Sequence, residues 1–183
     1  MDSILSDFLV HFRNSFSPPT PRWNGSNWLV SKVWSDYIRA WLPQHYRVSF
    51  EYPIVGGGAL DAAVWSKTGQ KTSRIDIALE WEWDNNKAEH IALVDFPKCL
   101  QANAQCGLAI KQTRADGRRG LIQADDTVMG LYDSCKNCRR DDRSLALIDI
   151  RRMHQTRDRV EFTIYFHDLV EGKKEEVRAF SLP

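Results

Sequence analysis

The sequence predicts an α/β fold, a mixed central sheet flanked by helices, and three observations carry that expectation. Two N-terminal segments repeat their large apolar residues at helical spacing. Three short segments that follow alternate apolar and polar residues with the period of two that a pleated strand imposes. Beyond them the pattern returns to a helix, a strand, a second helix and extra C-terminal strands. With 183 residues, 43% hydrophobic and 27% charged, the chain suffices for one domain with a substantial core and shows no disorder signature. Residues 1–183 are read as a single domain: an N-terminal helix and proline-rich loop over 1–26, a core over 27–113, and a C-terminal helix with strands over 114–183.

In the first helix Leu5, Phe8, Leu9, Phe12 and Phe16 share a face, behind a cap at Asp2 or Ser3, and Ser17-Pro18-Pro19-Thr20-Pro21 ends it. A second helix, capped by Ser26 or Asn27 and stopped by Pro43, carries Trp28, Leu29, Val33, Trp34, Tyr37, Ile38, Trp41 and Leu42 on one broad face. Such a stripe reads as core laid across a sheet. Strand patterns follow at 46–54 and 59–65, separated by Gly56-Gly57-Gly58, whose freedom suits a turn. The loop 67–73 leads to a third strand, so the three form a meander. The pattern over 88–104 is helical, but Pro97 belongs in a first turn, which moves the expected start to about Asp95. Then come a strand at 106–113, a polar loop at 114–120 and a helix capped by Asp125 or Asp126 that runs to about Cys135. Strands at 145–150 and 160–166 and an edge strand at 175–182 complete the chain.

A formal charge of +1 gives no global signature of nucleic-acid binding, so an anionic ligand would need a local basic patch or a metal. No apolar run has the length of a membrane span, and Met1-Asp2-Ser3-Ile4 lacks the basic start of a signal peptide. Together with Cys99, Cys106, Cys135 and Cys138, which suit a reducing compartment, this predicts a cytoplasmic protein with no membrane partner. Cys135-Lys136-Asn137-Cys138 has the spacing of half a zinc site, which Cys99 and Cys106 would have to complete; otherwise the four are free thiols. His11, His45, His90, His154 and His167 share no spacing and receive no role.

The third strand is the unusual one. Ile75, Ile77, Leu79, Trp81 and Trp83 alternate with Arg74, Asp76, Ala78, Glu80 and Glu82, which gives an extended chain one apolar and one acidic face. Acids two apart on one face repel unless a cation or a protonation change relieves them. In the preceding strand Asp61 is the one polar residue among Ala59, Leu60, Ala62, Ala63, Val64 and Trp65, so it is a turn cap or a ligand. Asp76, with Arg74 two positions away, reads as an ion-paired strand residue, and Asn85 and Asn86 as turn residues.

This order of helix, three-strand meander, helix and strand, with Asp61 on the second strand and Glu80-Trp81-Glu82 on the third, resembles the PD-(D/E)XK, or restriction-endonuclease-like, nuclease superfamily. The resemblance covers about 27–113 and implies an αβββαβ nuclease-like core. Asp61 takes the place of the motif's Asp, Glu80 that of its (D/E), and Glu82 that of its Lys, as in Glu-x-Glu restriction enzymes. Leu60 stands where the motif has Pro. The resemblance implies metal-dependent phosphodiester hydrolysis, with DNA the expected nucleic acid, and Mg²⁺ or Mn²⁺ as cofactor. Two carboxylates and a carbonyl suit a hard cation, so Asp61, Glu80 and the Trp81 carbonyl are the expected metal ligands. Glu82 is then a base or a second-ion ligand, and Lys98 or Lys111 takes over the missing motif cation.

Glu51, near the end of the first strand, is either an auxiliary acid or a solvated edge residue. Lys111, Arg114, Arg118 and Arg119 are the basic groups expected to meet a phosphate backbone, and a homodimer is compatible with the reading. The alternative is a catalytically inactive relative that binds nucleic acid or protein, for which the missing motif Lys speaks. A third reading is an interaction protein with a tryptophan-rich surface, since all seven tryptophans lie at or before Trp83.

Overall fold

Alternation of apolar and polar residues makes strands, and in the computed structural model seven of them pair in the order in which they occur in the chain. They are β1 (Tyr46–Pro53), β2 (Ala59–Ser66), β3 (Ile75–Glu82), β4 (Ala104–Arg114), β5 (Ser144–Gln155), β6 (Val160–Asp168) and β7 (Lys173–Leu182). The structure describes residues 3–16, 27–67, 74–82, 94–115, 117–138, 144–155 and 159–182. The strands β1 to β3 form an antiparallel meander, β4 runs parallel to β3 and β5 parallel to β4, and β6 and β7 return antiparallel. Parallel neighbours need crossovers. The helices α3 (Phe96–Gln101) and α4 (Gly117–Cys138) lie in the two crossing segments, while α1 (Ser3–Ser15) and α2 (Asn27–Trp41) precede the sheet. This is a mixed α/β fold with four helices among the described residues.

The first helical stripe works as expected. Phe8, Phe12 and Phe16 of α1 and its C-terminal edge meet Trp34 and Ile38 of α2 over Val64, Ile77, Leu79, Leu108 and Ile148 of the sheet. Phe16 stacks on Trp34 with ring centroids 5.1 Å apart, and Phe8 meets Trp41 edge-on at 4.8 Å. Each such side chain contributes about 1.5–3 kcal/mol of burial energy, so this aromatic layer is the main adhesive between helices and sheet. Because side chains alternate across a strand, the remaining residues of β2 to β5 face the other way, towards α3 and α4. Smaller apolar groups pack there, Ala63, Ala78 and Cys99 in one set and Ala109, Val128, Leu131 and Leu147 in another.

Two expectations need correction. The segment 114–120 is not a polar loop: Arg114 ends β4, and α4 begins at Gly117, whose φ of +70° glycine adopts without strain. Consequently neither Asp125 nor Asp126 caps a helix; both lie in its third turn. The reason is that α4 buries only the stripe of Ala124, Val128 and Leu131, so its first turn projects Arg118 and Arg119 into solvent and looks like loop composition. Pro97 does occupy the first turn of α3, and the edge strand at the C-terminus is β7. Among the described tryptophans, Trp34, Trp41 and Trp81 are buried and Trp65 is half-buried, so none of these four offers the interaction-surface reading an exposed ring; Trp23 and the Trp28 and Trp83 side chains lie outside the described residues. Asp2, Ser26, the proline-rich loop, Trp83, Asn85 and Asn86 lie outside the described residues, as do the side chains of Ser3, Asn27, Trp28 and Leu29 and the Cys135 and Cys138 thiols. No described helix is long and apolar enough to cross a membrane.

The glycine that positions α3 is Gly107 of β4. A Cβ built there would stand 2.9 Å from Leu145 Cδ2 and 3.1 Å from Cys99 Cβ, so only glycine lets α3 approach the sheet this closely. Gly107→Ala is expected to lower stability by about 1–3 kcal/mol through overpacking. Urea denaturation would show it as a lower midpoint with an unchanged slope, and an unchanged midpoint would mean that α3 can lift at no cost.

Candidate functional site

Regular pairing of β2 with β3 runs through Val64 and Ile77, Ala63 and Ala78, and Ala62 and Leu79. The next pair would be Asp61 with Glu80, and there a side chain replaces the ladder: Asp61 Oδ2 accepts the Trp81 N–H at 2.8 Å. Asp61 is thus no turn cap; it is an acceptor for the neighbouring strand 20 positions further on, as the hydrogen bond shows. The other end of the same strand pair repeats the device, with Asp76 Oδ2 accepting the Ser66 N–H at 2.8 Å. That gives Asp76 a structural task and separates it from the Glu80 group.

Across the sheet from Asp61, Lys98 of α3 brings its Nζ to 3.4 and 3.3 Å from the two oxygens of Glu80, and to 3.4 Å from Asp95 Oδ1. Glu80 is 5% exposed and Asp95 1%. One ammonium therefore faces two buried carboxyls, with Asp61 close enough to act on both through its charge. Burial pushes Asp61 up to about 6, helped by Glu51 and Asp95 and opposed by the Trp81 N–H and Lys98. Burial again, then the Asp61 charge, pushes Glu80 up to about 9 against the pull of Lys98. Desolvation works against the Lys98 ammonium, but Glu80 and Asp95 more than offset it and hold the group charged. The site carries more carboxyl than its single cation balances, so it takes up a proton at neutral pH.

The other predicted residues are distributed as follows. Glu51 is exposed on β1 and has φ of +49°, a left-handed backbone in the middle of a strand. Phe50 pairs with Ala62 and Tyr52 with Leu60, so the position between them stands opposite Asp61. A non-glycine residue held there stores backbone strain, of order 1–3 kcal/mol, beside the acidic group. Glu82 ends β3 in register with Lys111 of β4. Lys111 is 1% exposed on the sheet, so it is not a surface group for a phosphate backbone, and burial between helix and sheet is the physical reason. Arg114 follows three residues later at the end of β4, while Arg118 and Arg119 are exposed on α4. Of the two candidates for the missing cation, Lys98 is the one in contact with Glu80. Cys99 and Cys106 are buried and joined in no disulfide, and burial pushes the Cys99 thiol far up. Among the described residues no group of three or more His, Cys, Asp or Glu side chains could hold a metal ion.

Asp61 also borders a cleft of about 310 Å³ at this end of the sheet. Its wall is the polar side of α2, from Ser31 to Arg39, and its floor includes Glu51, Asp61 and Trp81. Trp81 Nε1 donates to Ser31 Oγ at 3.3 Å, which fastens α2 to β3 at the site.

Sequence reading missed Asp95 as a member of the site and missed a second buried polar group altogether. On the same side of the sheet, Asp149 of β5 accepts from Thr113 Oγ1 at 2.9 Å and from Arg151 Nε at 2.6 Å. Arg151 Nη1 reaches Asp125 of α4 at 2.7 Å, and Tyr132 OH meets His167 Nδ1 at 3.1 Å. Burial lowers His167 to about 4, so it is neutral at pH 7. The signal was present: Asp149 is the lone acid in the apolar run 145–150, the same pattern that singled out Asp61. Comparison of this chain with protein-family profiles, curated proteins and solved structures found no match.

A test of the charge imbalance follows from Glu80. Its folded carboxyl keeps its proton up to about 9, whereas the unfolded chain loses it near 4.5, so the wild type loses stability as pH rises through that window. Glu80→Gln keeps the shape and removes that loss. Its stability relative to wild type, read from urea midpoints at several pH values, is expected to increase steadily across the window. A difference that is flat or shrinks with pH would contradict a buried, proton-holding Glu80.

Proposed function

We propose that this chain is a metal-dependent nuclease of the PD-(D/E)XK type, with an αβββαβ core of α2, β1 to β3, α3 and β4, acting on phosphodiester bonds of nucleic acid, DNA being the expected substrate. The observation that carries the reading is the convergence of Asp61 and Glu80 on neighbouring strands, with Lys98 of the following helix on Glu80. Hydrolysis of a phosphodiester sets a water nucleophile against a phosphate that is already negative, and the chain supplies a buried acid pair that Lys98 balances only in part, an arrangement that a divalent cation relieves.

The donor set fits a hard cation in type: carboxylate oxygens and a backbone carbonyl, with no sulfur or imidazole among them. Asp61, Glu80 and the Trp81 carbonyl would hold Mg²⁺ or Mn²⁺. When bound, the ion would polarise the phosphate and lower the pKa of a water. Asp61 is held in place by the Trp81 N–H through Oδ2, which leaves Oδ1 for another partner. Lys98 supplies the positive charge that the motif's own Lys would have given and is free to turn from Glu80 towards a phosphate oxygen as charge develops there. Glu82 is the expected proton acceptor. The strained Glu51 opposite Asp61 supports an auxiliary acid, since strain of this kind accumulates at working sites.

A specific observation favours the second reading, a non-catalytic nucleic-acid-binding or protein-interaction module. Lys98 already bridges Glu80 and Asp95, which neutralises part of the charge a metal would otherwise meet.

The deciding experiment is cleavage of plasmid and oligonucleotide DNA with Mg²⁺ or Mn²⁺. Wild type is expected to cut, Asp61→Asn and Glu80→Gln to lose cutting while staying folded, and Glu82→Gln to slow it about 10²–10⁴-fold, as loss of a general base does. A wild type that binds DNA but cuts nothing with either metal would establish the non-catalytic reading. Unchanged activity in Glu82→Gln would remove Glu82 from the site.

A further inference from the structure

The cleft beside Asp61 has an internal ion system that the acid pair does not use. On α2, Lys32 Nζ lies 2.5 Å from Asp36 Oδ2, and Arg39 Nη1 lies 3.4 Å from Asp36 Oδ1. Arg39 in turn lies over the Phe50 ring of β1, 4.6 Å from its centroid, so its guanidinium is held at the cleft rather than swinging freely. Both cations reach one carboxylate in the lining of the cleft that Asp61 also borders. Counted together, the lining has the cations Lys32 and Arg39 against the acids Asp36, Glu51 and Asp61.

That distribution is polarised. The acids Glu51 and Asp61 come from β1 and β2 on the sheet side of the cleft, while the two cations are on the α2 wall with Ser31 and Ser35 as neutral hydrogen-bonding groups. An anion entering the cleft would be rejected by the floor and accepted by the wall. The wall is closed to it only by Asp36, a carboxylate two-pronged like the oxygens of a phosphate diester and bound by the same two side chains. The lowered pKa of Asp36, caused first by its hydrogen bond from Lys32, is the signature of a carboxylate held by these cations.

We infer that the cleft seats one nucleotide of a single nucleic-acid strand beside the scissile bond, and that Asp36 occupies the place of its phosphate until Lys32 and Arg39 hand over from carboxylate to phosphate. The inference rests on the nuclease reading for what happens at Asp61, but the seat itself is a matter of binding. About 310 Å³ is at the lower limit of ligand pockets, roughly 300–1,000 Å³, room for one nucleotide and too little for a duplex. The exchange explains why two cations and an acid sit together on an exposed helix side that faces a cavity. An ordinary solvated trio at helical spacing, which contributes about 0.3–0.5 kcal/mol per pair, has no need of one.

The test is fluorescence-anisotropy binding of a short fluorescein-labelled oligodeoxythymidylate in EDTA, where cleavage cannot occur, at several salt concentrations. Asp36→Asn is expected to bind about 3- to 10-fold tighter than wild type, because it frees two cations. Lys32→Gln is expected to bind more weakly and to lower the slope of log affinity against log salt by about 0.7, one phosphate contact on a single strand. Lys173→Gln, on β7 at the far edge of the sheet, controls for net charge and should alter neither. All three sites changed are exposed, and circular dichroism checks that each variant is folded. The inference is overturned if wild type does not bind the strand, if Asp36→Asn binds no tighter, or if Lys32→Gln behaves like Lys173→Gln. A wild type that shows the expected binding pattern but cuts no DNA with Mg²⁺ or Mn²⁺ sinks the nuclease reading and leaves the seat. Cutting with affinities indifferent to Asp36 and Lys32 does the reverse.

Discussion

The hydrogen bond from the Trp81 amide to the Asp61 carboxylate is the constraint on which the candidate site depends. It closes the β2–β3 pair where backbone pairing ends, and in doing so it fixes a carboxylate inside the sheet next to Glu80. A carboxylate bound to a backbone N–H is favoured in its charged form, while its burial and its acidic neighbours favour the neutral one. Asp61 is held between these tendencies at about 6, and Glu80, with no such donor, goes further, to about 9.

The two sides of the sheet divide the labour. The side under α1 and α2 is nearly all aromatic and aliphatic, and its burial energy holds the domain together. The side under α3 and α4 buries Glu80, Asp95, Lys111, Asp149, Arg151 and His167 among alanines and small apolar groups. Buried ionic groups add little net stability and are costly when broken, so the polar side draws on the apolar one. Glu82, Lys111 and Asp149 stand in register across β3, β4 and β5. Gly107 of β4 is what allows α3 to press Lys98 onto Glu80.

Much of this was legible because the periodicities are strong. The stripes of Phe8, Phe12 and Phe16 and of Trp34, Ile38 and Trp41 are each buried as their spacing implies, and all seven strands follow alternating or apolar runs. The start of α4 was not legible, since the outer face of a helix turn and a polar loop have the same composition around Arg118 and Arg119. Lys111 looked like a basic end to a strand and proved to be interior, because the charge of a side chain says nothing about whether a helix will cover it. Asp149 carries the same sequence signal as Asp61, a lone acid in an apolar strand, without an acidic strand after it.

By itself the sequence determined most of the helix and strand segments and that Glu80 and Glu82 alternate onto one face of a strand, where they need a counter-charge, because periodicity and like-charge repulsion are local properties. Only the tertiary structure decided what answers that charge. Lys98 and Asp95 come from a short helix after the strand, Glu51 from a strained position on β1, and the cleft from α2, and none of these is near Glu80 in the chain. Long-range contact between them is set by strand register and by the close approach permitted at Gly107, physical facts that a one-dimensional pattern does not contain.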